Sequence, residues 1–157
     1  MKRLLFCLAM IPVLTALADH NALLPRPQQV QYGSGTLAVR GLTVQFTSPP
    51  SAEDLFAAEQ LASRLSSIAQ TKTEIEKGKS ASRAITLNRT GEGGALPADT
   101  ENTGPESRES YILQVTPQGV EIRARSSAGI FYGVQTLLQM VEGTRVEAVL
   151  QIGRAHV

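Results

Sequence analysis

The stretch that most constrains the fold is "SYILQVTPQGVEIRARSSAGIFYGVQTLLQM", Ser110 to Met140. Tyr111, Leu113 and Val115 share one face of an extended segment, and Val120, Ile122 and Ala124 share one face of the next, with Glu121, Arg123 and Arg125 opposite. Alternation with a period of two is the mark of a half-buried strand. Pro117-Gln118-Gly119 supplies the turn, proline pre-setting φ and glycine open to a positive φ. The period then changes. Ile130, Val134, Leu137, Leu138 and Val141 recur at helical spacing behind Ser126 or Ser127 as a cap. A hairpin with one apolar face that runs straight into a helix with one apolar stripe buries both by laying the helix on the sheet. Gly129 and Gly133 lie on one side of that helix and let its backbone approach a neighbour. In a membrane the same spacing would mean dimerisation, but this segment is too short and too polar.

Upstream, "SPPSAEDLFAAEQLASRLSSIAQ" holds another helix. Ser51 and Asp54 have the spacing of a capping box, and acids occupy the first turn, where the helix dipole favours them. Leu55, Ala58, Leu61, Ala62, Leu65, Ile68 and Ala69 form its apolar face, with Glu53, Gln60 and Arg64 elsewhere on the wheel. "LTVQFT" (42–47) alternates as a strand. "QQVQYG" and "TLAV" read as two short strands around the Gly33-Ser34-Gly35 turn, after an extended entry fixed by Pro25 and Pro27. "TEIEK" and "AITLN" are two more strand segments. "RTGEGGALPADTENTGPESRE" is a long surface loop with almost nothing to bury. No internal repeat is present. The expected class is α/β (an α+β sandwich): a small mixed or antiparallel sheet with two helices on one face.

The N-terminus reads as a signal peptide over residues 1–18. "MKR" is a positive n-region, "LLFCLAMIPVLTAL" an apolar h-region too short to span a bilayer, and Ala16-Leu17-Ala18 a cleavage site. Phe6 before Cys7 argues against a lipoprotein signal. Cutting after Ala18 removes Cys7, the sole cysteine of the chain, and so any disulfide or thiol chemistry. It also removes Lys2 and Arg3, so 15 basic residues become 13 against 14 acidic ones, a net charge of −1. A cysteine-free exported chain fits a bacterial periplasm or cell exterior. No basic block points to nucleic acid or to a membrane surface.

Chemistry-bearing residues are sparse. His20 is followed by "NALL", which breaks the metalloprotease pattern, and His156 lies in the last few residues. With no cysteine in the mature chain and at most two histidines, zinc and redox sites have no ligand set. "GEGG" (91–94) lacks the lysine of a phosphate loop. Glu101, Glu106 and Glu109 are carboxylates in the long loop, where nothing apolar would raise a pKa, so they read as solvated charge. Asn88 opens an "NRT" glycosylation triplet, a short pattern that arises often by chance.

"LLPRPQQVQYGSGTLAV" together with "ESYILQVTPQGVEIRARSSAGIFYGVQTLLQM" resembles the N-terminal domain of glycoside hydrolase family 20, the β-N-acetylhexosaminidases. The carriers are the Pro-x-Pro opening, the Tyr-x-Leu strand with its glycine turn, and the Ala-Gly-x-Phe-Tyr-Gly-x-Gln-Thr-Leu-Leu-Gln helix. The resemblance implies a non-catalytic domain over 19–150 that packs against a (β/α)₈ barrel with the active site at its strand ends. It implies a parent enzyme, exported, that removes terminal N-acetylhexosamine residues from glycoconjugates or from chitin or peptidoglycan fragments. The hydrolysis is substrate-assisted and retaining, the sugar's acetamido oxygen attacking the anomeric carbon beside an Asp-Glu pair. That pair belongs to the barrel, so no catalytic, cofactor or metal residue is assigned in this chain, and the chain alone is expected to be inactive. Gly129, Tyr132, Gly133, Gln135 and Thr136 are expected to serve helix packing and the barrel interface.

Two alternatives follow. One is a stand-alone exported α/β binding module, which the absence of Trp and the core placement of most Tyr and Phe residues count against. The other is the accessory domain of a different glycosidase such as an α-glucuronidase. Residues 151–157 are expected to be a non-native tail, since "IGRAHV" is what a common short-read sequencing adapter encodes in frame before a stop codon.

Overall fold

The structure is a computed structural model that describes residues 23, 27–76, 83–92, 104 and 106–157. Its strands are β1 (Gln29–Ala38), β2 (Thr43–Phe46), β3 (Ile75–Glu76), β4 (Ala84–Arg89), β5 (Tyr111–Thr116), β6 (Gly119–Ala124), β7 (Val141–Glu142) and β8 (Val149–His156). The helices are α1 (Ala52–Ala69) and α2 (Ser127–Gln139), with a short 3₁₀ turn at Arg145–Glu147. All eight strands join one mixed sheet in the order β1-β8-β5-β6-β4-β2-β3, with β7 against β8. The β1, β8, β5 and β6 neighbours are antiparallel, and β6, β4, β2 and β3 run parallel.

The expected hairpin forms as β5 and β6, paired from Tyr111↔Ala124 to Thr116↔Gly119. Its inner face is closed: Leu113 and Ile122 are 0% exposed, under α2. Gly119 has a different role from the expected one. It does not carry a positive φ. It lies in the strand, where an added Cβ would come within 2.5 Å of the Ala84 carbonyl oxygen. Space, rather than turn geometry, requires glycine there.

Both glycines of α2 face the sheet. A Cβ at Gly129 would run into the Ser110 carbonyl oxygen and sit 2.8 Å from the Ala124 methyl, and one at Gly133 would meet Ile122 Cγ2 at 2.5 Å. The close helix-to-sheet approach expected from their spacing is therefore real. Ser126 is the cap of α2, its Oγ accepting from the Gly129 N–H at 3.3 Å. At α1 the capping box is complete: Ser51 Oγ accepts from the Asp54 N–H at 3.3 Å, and Asp54 Oδ2 accepts from the Ser51 N–H at 3.0 Å.

Three expectations are corrected. The two strands around Gly33-Ser34-Gly35 are one strand, β1, with a register irregularity against β8 between Tyr32 and Thr36. On α1 the buried face is Asp54, Ala57, Ala58, Leu61, Ala62, Leu65 and Ala69, while Leu55 is 37% exposed. Ala58, Leu61, Ala62, Leu65 and Ala69 are buried as expected, and Asp54 joins them, bonded to Arg89. The aromatic residues do not sit mainly in the core. Tyr111 is fully buried, but Tyr32 and Phe56 are 43% and 53% exposed, and Phe46, Phe131 and Tyr132 are half-buried. Residues 149–156 form β8, which lies between β1 and β5 with Ala155 at 0% exposure opposite Leu113. The signal-peptide segment, His20, Pro25, Glu101 and part of "GEGG" lie outside the described residues.

Candidate functional site

Of the carboxylates singled out from sequence, Glu106 and Glu109 are among the described residues, and each makes its own separate contact. Glu106 pairs with Arg125 at the surface, both side chains more than half exposed. Glu109 is exposed and its backbone N–H donates to Ser107 Oγ at 3.1 Å. His156 ends β8 opposite Gln29 and Ile112. Asn88 stands on β4 and donates to Glu121 Oε1 at 2.8 Å. Among the described residues, no group of three or more His, Cys, Asp and Glu side chains could hold a metal ion. Among the same residues no helix is long and apolar enough to cross a membrane.

Sequence reasoning missed a buried ion pair. Arg89, at the end of β4, donates from Nε to Asp54 Oδ2 at 2.8 Å, and their side chains are 12% and 3% exposed. The rest of the guanidinium donates to the Pro49 carbonyl at 3.1 Å and to the Gly91 carbonyl. One arginine thus ties the end of a strand, the entry to α1 and the next loop together. Next to it Ser51 Oγ lies 3.1 Å from Ser127 Oγ, so the two helix starts are joined. The warning in the sequence was an arginine closing the strand segment "AITLN".

The second feature is a surface. Phe56 of α1 stacks on Phe131 of α2, with ring centroids 6.2 Å apart and planes at 20°, and Tyr132 meets Phe131 edge-on at 6.0 Å. Phe131 is two residues past Gly129, about 200° around the helix, and so points away from the sheet. Phe56 and its neighbour Leu55 are exposed, while Phe131 and Tyr132 are half-buried and also pack against the core, so the rings make an apolar strip that runs from the core to the surface of the helix layer. Of the residues expected to serve packing or an interface, Gly129, Gly133 and Thr136 face inward. Tyr132 and Gln135 are half-buried, and Tyr132 belongs to the strip.

A mixed sheet with its inner face under two helices, and an apolar strip that reaches the surface of those helices, defines a small α+β domain of accessory type. The chain belongs to glycosyl hydrolase family 20: the model of that family's domain 2 matches residues 20–153. A β-hexosaminidase of Porphyromonas gingivalis is 32% identical over 120 residues, which cover 76% of this chain and 14% of that protein. Among solved structures, a chitobiase of Flavobacterium johnsoniae superposes with a TM-score of 0.65 at 20% identity, over 84% of this chain and 20% of that one. The β-N-acetylhexosaminidase of Streptomyces coelicolor gives 0.64 at 24% identity, over 84% of this chain and 25% of that one. The chain therefore spans about a quarter or less of the relatives it matches.

Proposed function

We propose that this chain is the non-catalytic domain 2 of an exported β-N-acetylhexosaminidase, whose substrate-assisted retaining hydrolysis is performed by a (β/α)₈ barrel that this chain does not contain. In this reading residues 1–18 are a signal peptide, 19–150 the domain, and 151–157 a non-native tail. The strip of Phe56, Phe131, Tyr132 and Leu55 carries the proposal. It is the kind of apolar surface that marks contact with another folded body, and the relatives are four to seven times longer than the segment they share with this chain. The barrel is the occupant proposed for the strip. The active parent would act on terminal N-acetylhexosamine residues and need no cofactor.

A chimera tests this. Residues 23–150 replace the matching segment of the Porphyromonas gingivalis β-hexosaminidase, and aryl N-acetyl-β-glucosaminide hydrolysis is compared with and without Phe56→Asp. A soluble, active chimera whose thermal stability falls on Phe56→Asp is expected. A chimera indifferent to Phe56→Asp would refute the docking face, and a stand-alone binding module would then be the better reading. The tail is tested separately by sequencing the source DNA past the codon of Leu150.

A further inference from the structure

The face of the sheet away from the helices carries an open hollow beside Gly119 and Ala84. Thr116 and Gly119 are directly paired on β5 and β6, and Thr43 and Ala84 on β2 and β4, with Gly119 packed against the Ala84 backbone. Gly119 and Ala84 are the first residues of β6 and β4, so the hollow lies at one end of these neighbouring strands. The surface sinks there into a cavity of about 320 Å³. The neighbouring row on the same face is Gln114, Glu121, Thr86 and Gln45, on β5, β6, β4 and β2. The residues between these rows, Val115, Val120, Ile85 and Val44, are at most 3% exposed and face the helices.

The polar atoms of this row are only partly used. Gln45 Nε2 donates to Thr86 Oγ1 at 2.9 Å, which leaves the Thr86 hydroxyl hydrogen free to donate. Glu121 accepts from Asn88 through Oε1, and Oε2 remains available as an acceptor. Gln45 Oε1 and Thr43 Oγ1 are buried without a hydrogen-bond partner, a condition that native proteins keep rare. Gln114 is exposed, its carboxamide offering both a donor and an acceptor.

No lysine or arginine lines the hollow itself, Arg154 of β8 standing outside it next to Gln114, and there is no large apolar wall for a lipid. Carboxamide, carboxylate and hydroxyl groups in alternation match a ligand whose every group both donates and accepts. Vicinal hydroxyls of a sugar ring have that property. We propose that the hollow between β2 and β5 is a weak site for a neutral saccharide. Its volume is at the lower end of the ~300–1,000 Å³ typical of small-molecule sites, enough for a ring with its substituents. It lies on the opposite side of the sheet from the aromatic strip, so a body seated on the helices leaves it open. The inference needs only this face of the chain and goes beyond the accessory role proposed above.

The test is a titration of the isotopically labelled chain with N,N′-diacetylchitobiose, read by backbone amide shifts. Saturable shifts are expected at Gln45, Thr86, Gln114, Gly119 and Glu121, with a dissociation constant on the order of millimolar. Ala84→Leu, which fills the hollow, should weaken binding at least ~10-fold with an unchanged melting curve. Glu121→Gln, which keeps the shape, should weaken it several-fold and decides the matter if Ala84→Leu does not fold. Three results would each overturn the site: no saturable shift up to tens of millimolar, the same shifts with inorganic phosphate, or shifts centred on Phe56 and Phe131. None of them touches the docking of a barrel, which the chimera reads independently.

Discussion

Arg89 and Asp54 show how one side-chain pair can override a hydrophobic pattern. The carboxylate is buried with Oδ1 unpartnered, and only the guanidinium and the capping-box N–H answer it. Arg89→Met leaves that charge buried without its partner, a change that costs about 3 kcal/mol in comparable pairs, and urea denaturation should show it. Substituting alanine for each α2 glycine separates two kinds of contact. At Gly129 the obstacle is the Ser110 carbonyl, fixed in the backbone, whereas at Gly133 it is the Cγ2 methyl on the branched Cβ of buried Ile122, which gives way only if χ1 turns. Gly129→Ala should therefore destabilise more, by roughly 2–3 kcal/mol against about 1 kcal/mol for Gly133→Ala. Tyr111 adds a pH dependence. Burial raises its phenol pKa above the ordinary 10.0, while its 2.6 Å hydrogen bond to Thr136 Oγ1 works the other way. The folded state holds the proton more tightly, so the stability it contributes is complete below about pH 10 and is lost as the pH rises toward the folded-state value. Urea midpoints measured from about pH 9 upward should fall, and Tyr111→Phe should flatten that fall.

At the scale of elements, what could be read from the sequence was what is local. The β5–β6 hairpin, both helices and both serine caps lie where period and capping chemistry put them. The errors came from partners distant in the chain. The burial of Asp54 on α1 is matched by Arg89, 35 positions away. The role of Gly119 depends on Ala84 in a parallel strand, and β1 is held together across Gly33-Ser34-Gly35 only by its pairing with β8. The aromatic strip was misread for the same reason. Phe56 falls on the flank of the apolar stripe of α1, and only the placement of α2 turns it into half of a stacked pair on the outer surface. That strip should make the isolated chain self-associate, because its apolar area has no cover. Sedimentation of Phe56→Ser is expected to show a shift toward monomer, and an unchanged distribution would mean that other surfaces drive association.

For the whole molecule, eight strands and two helices bring together no group of three or more His, Cys, Asp and Glu side chains that could hold a metal ion among the described residues; Asp54 and Glu106 there are paired with arginines. What the fold presents instead is two unlike faces: an apolar aromatic strip over the helices and a polar hollow on the bare sheet. The most direct measurement is hydrolysis of an aryl N-acetyl-β-glucosaminide by the purified chain itself. No turnover above the uncatalysed rate is expected, at any pH between about 4 and 8, where carboxylate-based glycosidases work. Saturable turnover that survives purification to homogeneity would contradict the accessory role and place an active site in this chain.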